Sequence, residues 1–333
     1  MANIRDVARH ASVAPMTVSR VLNQPDAVSV ETRMRVEAAI QELKYVPNMV
    51  GQGLRKRRTM ALGLLVSDIT NPFAIQQIQG VTRAARESDY TVIFGHTESS
   101  PAEEMRQLRS LIERRVDGVL LSPVYGTPEA IDFVREQSLP IVVLDYAMPD
   151  MDVDVVRCDT RAASRELTRY VLERGHERIA MLSGDEAIIT ARDRATGFQE
   201  AMAEAGLPAP VSFGHYTSES GFEMAMGMLD SPRRPTALVT ASNFIAMGAA
   251  EAAQELGLAV PDDLSIVTFD NARTDMVHDP FFTGVVQPVT EMSSAATVML
   301  LDRILGRYDG PGRDEIFPTS FEAHRSTAPP PGT

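Results

Sequence analysis

Short amphipathic segments occupy the first 45 positions of the chain. Apolar residues between Ile4 and Ala11 recur at the i, i+3, i+4, i+7 spacing of one helix face. A second apolar set follows after a turn of only a few residues, with Pro15 suited to the first turn of its helix. A third set begins near Ser29 and ends before Pro47. Three short helices with a tight turn between the first two predict a helix-turn-helix, whose second helix enters the DNA major groove.

From position 60 onward the pattern changes to apolar runs that alternate with amphipathic stretches. Such alternation with short loops predicts parallel sheets covered by helices. The same alternation starts again at Ile179 and continues through Leu238 and Ile266, so we expect two α/β lobes after an all-α head. The predicted strands of the first lobe are 61–66, 92–94, 119–121 and 141–144, and its predicted helices are 78–88, 102–115 and 129–137.

Composition is that of a folded globular chain, with 44% hydrophobic and 23% charged residues among 333. No run approaches 18 apolar residues, and polar residues follow Met1 directly, so we expect neither a membrane span nor secretion. Cys158 is the single cysteine, which excludes an intramolecular disulfide. These features predict a cytoplasmic protein without a membrane partner.

Charge is divided unevenly along the chain. The net charge is −13, yet residues 1–60 carry ten basic and five acidic residues, which leaves 22 and 40 for the remainder. Four consecutive basic residues, 55–58, lie where the composition shifts and mark a linker. A small basic module joined to a large acidic one indicates an anion-binding head, because phosphate neutralisation depends on local charge.

Enzymatic and metal-binding patterns find little support. The six histidines show no metal-ligand spacing, no G-x-S-x-G elbow occurs, and Gly51 and Gly53 follow a helix without a third glycine. We therefore expect no catalysis, metal or cofactor. A solute-binding receptor with the same core fold is the main alternative, but that class requires a signal peptide and has no DNA-binding head.

The chain resembles the lactose/galactose repressor family. The head matches at Ile4-Arg5-Asp6-Val7-Ala8 and at Thr17-Val18-Ser19-Arg20-Val21-Leu22-Asn23. The core matches at Asn71-Pro72-Phe73, Val116-Asp117-Gly118-Val119 and Phe269-Asp270. Nearly the whole chain is covered. The resemblance implies a core like that of periplasmic binding proteins, with a small-molecule effector between its two lobes.

Polar residues at predicted strand ends support such a cleft, because ligands of open α/β sheets lie beyond the carboxyl ends of strands. Carboxylates, a guanidinium and aromatic faces suit a polyhydroxylated ligand, so we expect a sugar or sugar acid. Helix capping by the two aspartates and ordinary packing of the aromatics are the structural alternatives. The effector residues that the resemblance implies are Phe73, Asp145, Thr190, Arg194, Tyr216, Asn243 and Asp270.

Two positions bear on the class of effector. Ser242-Asn243 departs from the Asn-Asp pair of many sugar-responsive members. Ile188 stands where purine-responsive members carry an arginine, which argues against a purine corepressor; a regulator of that type is the second alternative.

The resemblance also assigns roles in the head. Pro15, Met16 and Arg20 occupy base-reading positions, and Thr17, Ser19 and Asn23 occupy phosphate-contacting positions. Ala14 replaces the serine that usually caps this helix. Leu54, next to Arg55, matches the hinge-helix leucine that enters the minor groove.

The expected organisation is a head at 1–46, a hinge helix and linker at 47–59, an effector-binding and dimerisation core at 60–325 and a disordered tail at 326–333. The prolines after Thr327 cannot form the leucine-heptad helix of tetrameric members, so we expect a homodimer on a pseudo-palindromic operator. We expect a transcriptional repressor whose operator affinity changes when an effector reorients the lobes.

Overall fold

The computed structural model describes residues 2–46, 58–126, 128–148, 150–269 and 280–332. The chain divides into two compact units, Met1–Thr59 and Met60–Thr333. The predicted hinge helix with Leu54 and Arg55, and the predicted site residue Asp270, lie outside the described residues.

The first unit contains the predicted helix-turn-helix. Its first helix starts from a capping box, in which the Asn3 side chain accepts from the Asp6 amide and the Asp6 side chain accepts from the Asn3 amide. The third helix starts at Ser29, whose hydroxyl accepts from the Thr32 amide. The helices are α1 (Ile4–His10), α2 (Pro15–Asn23) and α3 (Val30–Glu42), with a 3-10 turn at Pro25–Ala27.

Valine and alanine side chains from all three helices form the small core of the head. The turn between α1 and α2 passes through Ser12, which has a φ of +52°. Arg35 of α3 supports this turn, because its guanidinium donates to the carbonyls of Ala11 at 2.6 Å and Ser12 at 3.2 Å. The third helix thereby fixes the geometry on which the orientation of α2 depends.

The second unit consists of two lobes, and each is built on a six-stranded sheet. Lobe 1 has the strand order β11-β5-β4-β3-β1-β2, and all its pairs are parallel. Its strands are β1 (Ala61–Val66), β2 (Thr91–His96), β3 (Gly118–Leu121), β4 (Ile141–Leu144), β5 (Asp154–Cys158) and β11 (Asp314–Phe317), and its helices are α4 (Pro72–Glu87), α5 (Pro101–Glu113), α6 (Pro128–Glu136) and α11 (Val289–Leu305).

Lobe 2 repeats the plan with the order β12-β10-β9-β8-β6-β7. Its pairs are parallel except for the antiparallel contact of β10 with β12. Its strands are β6 (Ile179–Ser183), β7 (Val211–Phe213), β8 (Ala237–Thr240), β9 (Ser265–Phe269), β10 (Thr283–Val286) and β12 (Ser320–Glu322), and its helices are α7 (Thr160–Glu173), α8 (Ile189–Glu204), α9 (Ser218–Leu229) and α10 (Asn243–Glu255).

The chain crosses between the lobes after β5, after β10 and after β11. As a result, α11 packs in lobe 1 although it follows β10 of lobe 2, and β11 and β12 lie in different sheets. The predicted class, a two-lobed α/β core with parallel sheets and a helical head, is confirmed. The crossings and five of the strands, β5, β7, β10, β11 and β12, were not predicted.

The segment after residue 325 is not the disordered tail that its prolines suggested. Ser326 is fully buried, and its hydroxyl donates to the Ile266 carbonyl and accepts from the Thr283 amide. The carbonyl of Ala328 accepts from His176 Nε2 at 2.9 Å. The prediction of disorder from 326 onward is wrong for the described residues, because side-chain hydrogen bonds hold this segment against lobe 2.

Candidate functional site

Helix α2 presents an exposed face opposite its buried one. Val18 and Val21 lie in the core of the head, whereas Pro15, Met16 and Arg20 are exposed. Met16 and Arg20 are four residues apart and therefore lie on the same side of the helix. Thr17 and Ser19 are half-buried, and the side chain of Asn23 is outside the described part of the chain.

The start of α2 lacks a side-chain cap. Ala14 occupies the cap position with an extended backbone and makes no side-chain hydrogen bond there. Pro15 follows at the first helical position, where its missing N–H removes no ladder bond. The helix therefore begins without the stabilisation that a serine or aspartate would supply at position 14.

A cleft of about 770 Å³ lies between the two lobes of the core. Its walls are the loops at the carboxyl ends of the parallel strands, the position at which open α/β sheets bind ligands. Lobe 1 contributes Ser67 to Asn71, Phe73, Gln77, His96, Glu98, Ser99, Ser122 to Tyr125 and Leu144 to Tyr146, and lobe 2 contributes Asp185, Ile188, Thr190, Arg194, His215 to Thr217 and Ser242.

The first turns of α4 form one wall of the cleft. Asn71 caps this helix by accepting from the amide of Phe73, which places the half-buried Phe73 ring at the cleft. Gln77, one turn further on, is buried, and its amide nitrogen donates to the Ser122 hydroxyl at 2.8 Å. An aromatic face and a fixed amide thus lie on the same side of one helix.

Asp145 follows β4 directly and lines the cleft. Its φ is +55°, an uncommon left-handed conformation that aspartate tolerates better than most residues. No helix begins at this point, because the next one, α7, starts at Thr160. The alternative that Asp145 caps a helix is therefore wrong.

The first turns of α8 supply Thr190 and Arg194, which lie four residues apart on one face. Arg194 is buried, and it donates from Nη1 to the Ala241 carbonyl at 2.5 Å. Its guanidinium carbon lies 4.5 Å from the centroid of the Phe269 ring. These contacts hold the guanidinium in a fixed orientation at the cleft.

Tyr216 follows β7 and packs its ring over Gly184, at the end of β6. A Cβ on residue 184 would lie 2.2 Å from the Tyr216 ring, so this close approach requires glycine. Ser242 caps α10 and lines the cleft, whereas Asn243, the next residue, is outside the lining and accepts from the Phe244 amide.

Two tyrosines of lobe 1 form hydrogen bonds to lobe 2 across the cleft. The Tyr125 hydroxyl donates to Asp185 Oδ2 at 3.2 Å. The Tyr146 hydroxyl accepts from the Ile189 amide at 3.2 Å and donates to the Tyr125 carbonyl at 2.5 Å. Burial raises the pKa of both tyrosines, so the hydroxyls remain protonated donors at neutral pH.

Glu104 of α5 supports the loop that carries Tyr125. Its carboxylate is buried and accepts from the Val124 amide at 2.8 Å. Burial raises the pKa of this carboxyl group, because the charged form loses its hydration.

The structure brings five of the predicted effector residues to one cleft: Phe73, Asp145, Thr190, Arg194 and Tyr216. Sequence reasoning missed the bridging tyrosines, Asp185 and Gln77. The sequence contains a pattern that indicates Gln77, since this polar residue lies one helical turn after Phe73 on an apolar face. No local pattern indicates the bridging residues, because their partners are about 60 and 43 positions away.

Within the described ranges, no group of three or more histidine, cysteine, aspartate or glutamate side chains is placed to hold a metal ion. Among the same residues, the helices are too short or too polar to cross a membrane.

Two family models match the chain. Residues 3–48 match the model described as bacterial regulatory proteins, lacI family. Residues 59–312 match the model described as periplasmic binding proteins and sugar binding domain of the LacI family. The second match covers most of the chain, and the resemblance noted in the sequence is confirmed.

Individual relatives agree. Repressors named PurR from Escherichia coli and Shigella boydii are 34% identical over 336 aligned positions, which cover 99% of this chain and 98% of each relative. Among solved structures, the Lac repressor dimer bound to operator and the anti-inducer ONPF has a TM-score of 0.87 at 26% identity, covering 98% of this chain and 99% of that one. A CelR–cellobiose complex has a TM-score of 0.74 at 30% identity, covering 98% and 100%. The chain therefore belongs to the LacI family, as a DNA-binding transcriptional repressor with an effector-binding core.

Proposed function

We propose that the protein binds a pseudo-palindromic operator as a homodimer and that a small metabolite in the interlobe cleft controls its operator affinity. The observation that carries this proposal is the cleft itself, which both lobes line with polar and aromatic side chains. A ligand that contacts both lobes stabilises one arrangement of them over others, and this difference in binding free energy is what couples an effector to DNA binding.

In the head, Pro15, Met16 and Arg20 of α2 read the bases. Arg20 can donate to O6 and N7 of a guanine, while Pro15 and Met16 offer apolar contacts. Thr17, Ser19 and Asn23 position the helix on phosphates, and Leu54, beside Arg55, enters the minor groove. The exposure of Met16 and Arg20 supports this assignment, as does the similarity to the operator-bound Lac repressor dimer.

Two exposed apolar residues of the core support a homodimer. Phe94 is 53% exposed on β2, the edge strand of its sheet, and Met247 is 52% exposed on α10. Contiguous exposed apolar patches commonly mark protein interfaces, and these two side chains, one in each lobe, are our candidates for such a patch.

We assign the head to residues 1–46, the hinge and linker to 47–59, and the core to 60–332, and we place the protein in the cytoplasm, where its operator is. We assign a sugar or sugar acid as the effector. The CelR relative in complex with cellobiose supports a sugar. The repressors named PurR support the purine alternative. Against it, Ile188 at the cleft is apolar at the position where purine-responsive members carry an arginine.

A binding-site selection from random duplex DNA tests the DNA-binding half of the proposal. The wild-type chain should enrich a two-fold symmetric sequence. Arg20→Ala should weaken binding to that sequence by about 1–3 kcal/mol and relax the preference at one base pair in each half-site. Arg9→Ala is the control, because Arg9 is an exposed arginine of α1. An unaltered consensus from the Arg20 variant would reject the base-reading role.

A further inference from the structure

An arginine of α3 lies against the turn that precedes the base-reading helix of the head. Resting on the proposed function of α2 in reading bases, we propose that Arg35 is a positioning residue for α2. Its guanidinium holds the turn before α2 at the angle that base contacts require, although Arg35 itself lies outside the set of residues assigned to DNA.

The turn contains a residue in an unfavourable backbone conformation. Ala11 is the last residue of α1 to take a helical backbone, and Ser12 follows it with a φ of +52°. Glycine is the usual residue in this left-handed conformation after a helix, and the turn of a helix-turn-helix often contains it, because a Cβ is crowded there. With serine at this position, the turn depends on contacts that hold it in place.

Backbone hydrogen bonds supply part of these contacts. The Ser12 amide donates to the Arg9 carbonyl at 3.2 Å, and the Val13 amide donates to the Ala8 carbonyl at 2.9 Å. Together they form the Schellman arrangement that closes many helices. Neither bond involves the carbonyls of Ala11 and Ser12, which connect the end of α1 to the start of α2.

Arg35 binds both of these carbonyls. Its Nη2 donates to the Ala11 carbonyl at 2.6 Å and to the Ser12 carbonyl at 3.2 Å. The bond to Ala11 is partly buried and has a charged donor, and such bonds are stronger than those between neutral groups. A cation at the carboxyl end of α1 also interacts favourably with the helix dipole. One guanidinium therefore joins α3 to two consecutive carbonyls of the turn.

The orientation of α2 depends on this turn. Ala14 begins the helix without a side-chain cap, and the buried face packs through Val18 and Val21. Apolar contacts are not directional, so the hydrogen bonds at the turn set the angle of the helix. Arg20 lies about 9 Å along α2 from Ala14, and a rotation of about 10° at the turn moves it by about 1.5 Å. A displacement of this size breaks a hydrogen bond to a base.

Paired variants of the full chain test the proposal. Arg35→Met removes the donor to both carbonyls and one positive charge, and it keeps an unbranched apolar stem. Arg33→Met is the matched control, because it removes the same charge from the same helix, where Arg33 donates to Glu37 at 2.8 Å on the exposed surface. Dissociation constants are measured at one salt concentration for the selected operator and for a random duplex of equal length. The ratio of the two constants is the specificity of each variant.

The two variants should differ in specificity and not in general DNA affinity. Loss of a positive charge weakens binding to all DNA alike, so both should bind the random duplex with similar affinity. Specificity should fall by about 10-fold in Arg35→Met, the lower range of what one bidentate base contact supplies, and stay within about twofold in Arg33→Met. Arg35→Lys retains a charged donor and should recover part of the loss.

Binding-site selection adds a second readout. Arg35→Met should relax the preference at every base pair that α2 reads, because the whole helix shifts. Arg20→Ala should relax it at only one base pair in each half-site.

A further substitution separates positioning from stability. Ser12→Gly removes the crowded Cβ and leaves the charge unchanged. If Arg35 served stability alone, Arg35→Met would weaken binding to operator and random duplex together, and adding Ser12→Gly would restore both. With a positioning role, specificity stays low in the double variant.

Unchanged specificity in Arg35→Met, or full recovery of specificity in the double variant, would overturn the proposal. If Arg20→Ala relaxes one base pair while Arg35→Met leaves specificity unchanged, α2 still reads bases and only the role of Arg35 fails. If Arg20→Ala leaves the consensus unaltered, the proposed function of α2 fails, and the role of Arg35 fails with it.

Discussion

The hydrogen bonds of Tyr125 and Tyr146 across the cleft should hold the lobes together before any effector binds. Tyr125→Phe removes the donor to Asp185, and Tyr146→Phe removes the acceptor of the Ile189 amide proton. Both substitutions keep the ring and delete one oxygen. We therefore expect the variants to fold and to open the cleft more often.

The magnitudes differ because the two hydroxyls differ in burial. The Tyr125 bond has a charged acceptor, but at 3.2 Å it is long and its partner is half-buried, so we assign it about 1 kcal/mol. Tyr146 is 5% exposed, and its loss leaves an amide and a carbonyl without their bonds, which costs about 2 kcal/mol. These values correspond to about 5-fold and about 30-fold more opening.

Hydrogen–deuterium exchange of peptides covering 185–195 measures the opening in the wild type and in Tyr125→Phe, because the Ile189 amide exchanges only when its bond to Tyr146 breaks. In Tyr146→Phe the same amide has lost its acceptor, and its exchange measures the protection that this bond supplied. Exchange should accelerate about 5-fold in Tyr125→Phe and about 30-fold in Tyr146→Phe. Tyr308→Phe is the matched control, since its hydroxyl donates to the Pro311 carbonyl within lobe 1. Unchanged exchange in both variants, with unchanged melting temperature, would show that these hydrogen bonds do not hold the lobes together.

Three further predictions concern stability. Asp154→Asn should lower the free energy of unfolding by about 3 kcal/mol in urea titrations, because it neutralises a buried carboxylate that pairs with Arg303 and Arg313. A substitution in an exposed ion pair should cost under about 1 kcal/mol. Burial opposes ionisation of Asp154, but the hydrogen bonds from the two arginines outweigh it and lower its pKa from 3.8 to about 2. The contribution of the ionised carboxylate to the free energy of unfolding is therefore complete above pH 3.8 and should be lost as the pH falls through about 2. Acid denaturation of the wild type and the variant measures this loss. Burial lowers the pKa of His176 below 6.5, so the contribution of neutral His176 to the free energy of unfolding should be complete above pH 6.5 and decline on acidification. The readout is a lower protection factor of the Ala328 amide, which donates to Ser265 while the Ala328 carbonyl accepts from His176. Ala14→Ser should raise the melting temperature of the head, because a serine at the helix N-cap contributes about 1 kcal/mol to stability. An unchanged melting temperature would show that Pro15 already compensates for the missing cap.

The head could be predicted from sequence because its signals are local. Three helices, their turn and the uncapped start at Ala14 follow from spacings within a few residues. In the core, β1 and β4 were predicted to the residue from their apolar runs. The edge strands β7, β11 and β12 were missed because they are short and mostly lack buried side chains.

Contacts between distant segments explain the remaining differences. The proline-rich end was predicted to be disordered from composition, yet Ser326 is fixed by partners 60 and 43 positions away. The cleft residues at strand ends were predictable, since strand ends share one edge of a parallel sheet. The bridging pair Tyr125 and Asp185 was not, because it depends on how the two lobes face each other.

Reciprocal linkage shows whether a ligand in the cleft controls DNA binding. Operator affinity is measured with and without a compound that binds the core, and the affinity for that compound is measured with and without operator. We expect both ratios to be equal and to differ from one. We also expect Arg194→Ala to abolish the response and to leave operator affinity without the compound unchanged. A compound that binds the cleft while operator affinity stays the same would contradict the control of DNA binding by the cleft.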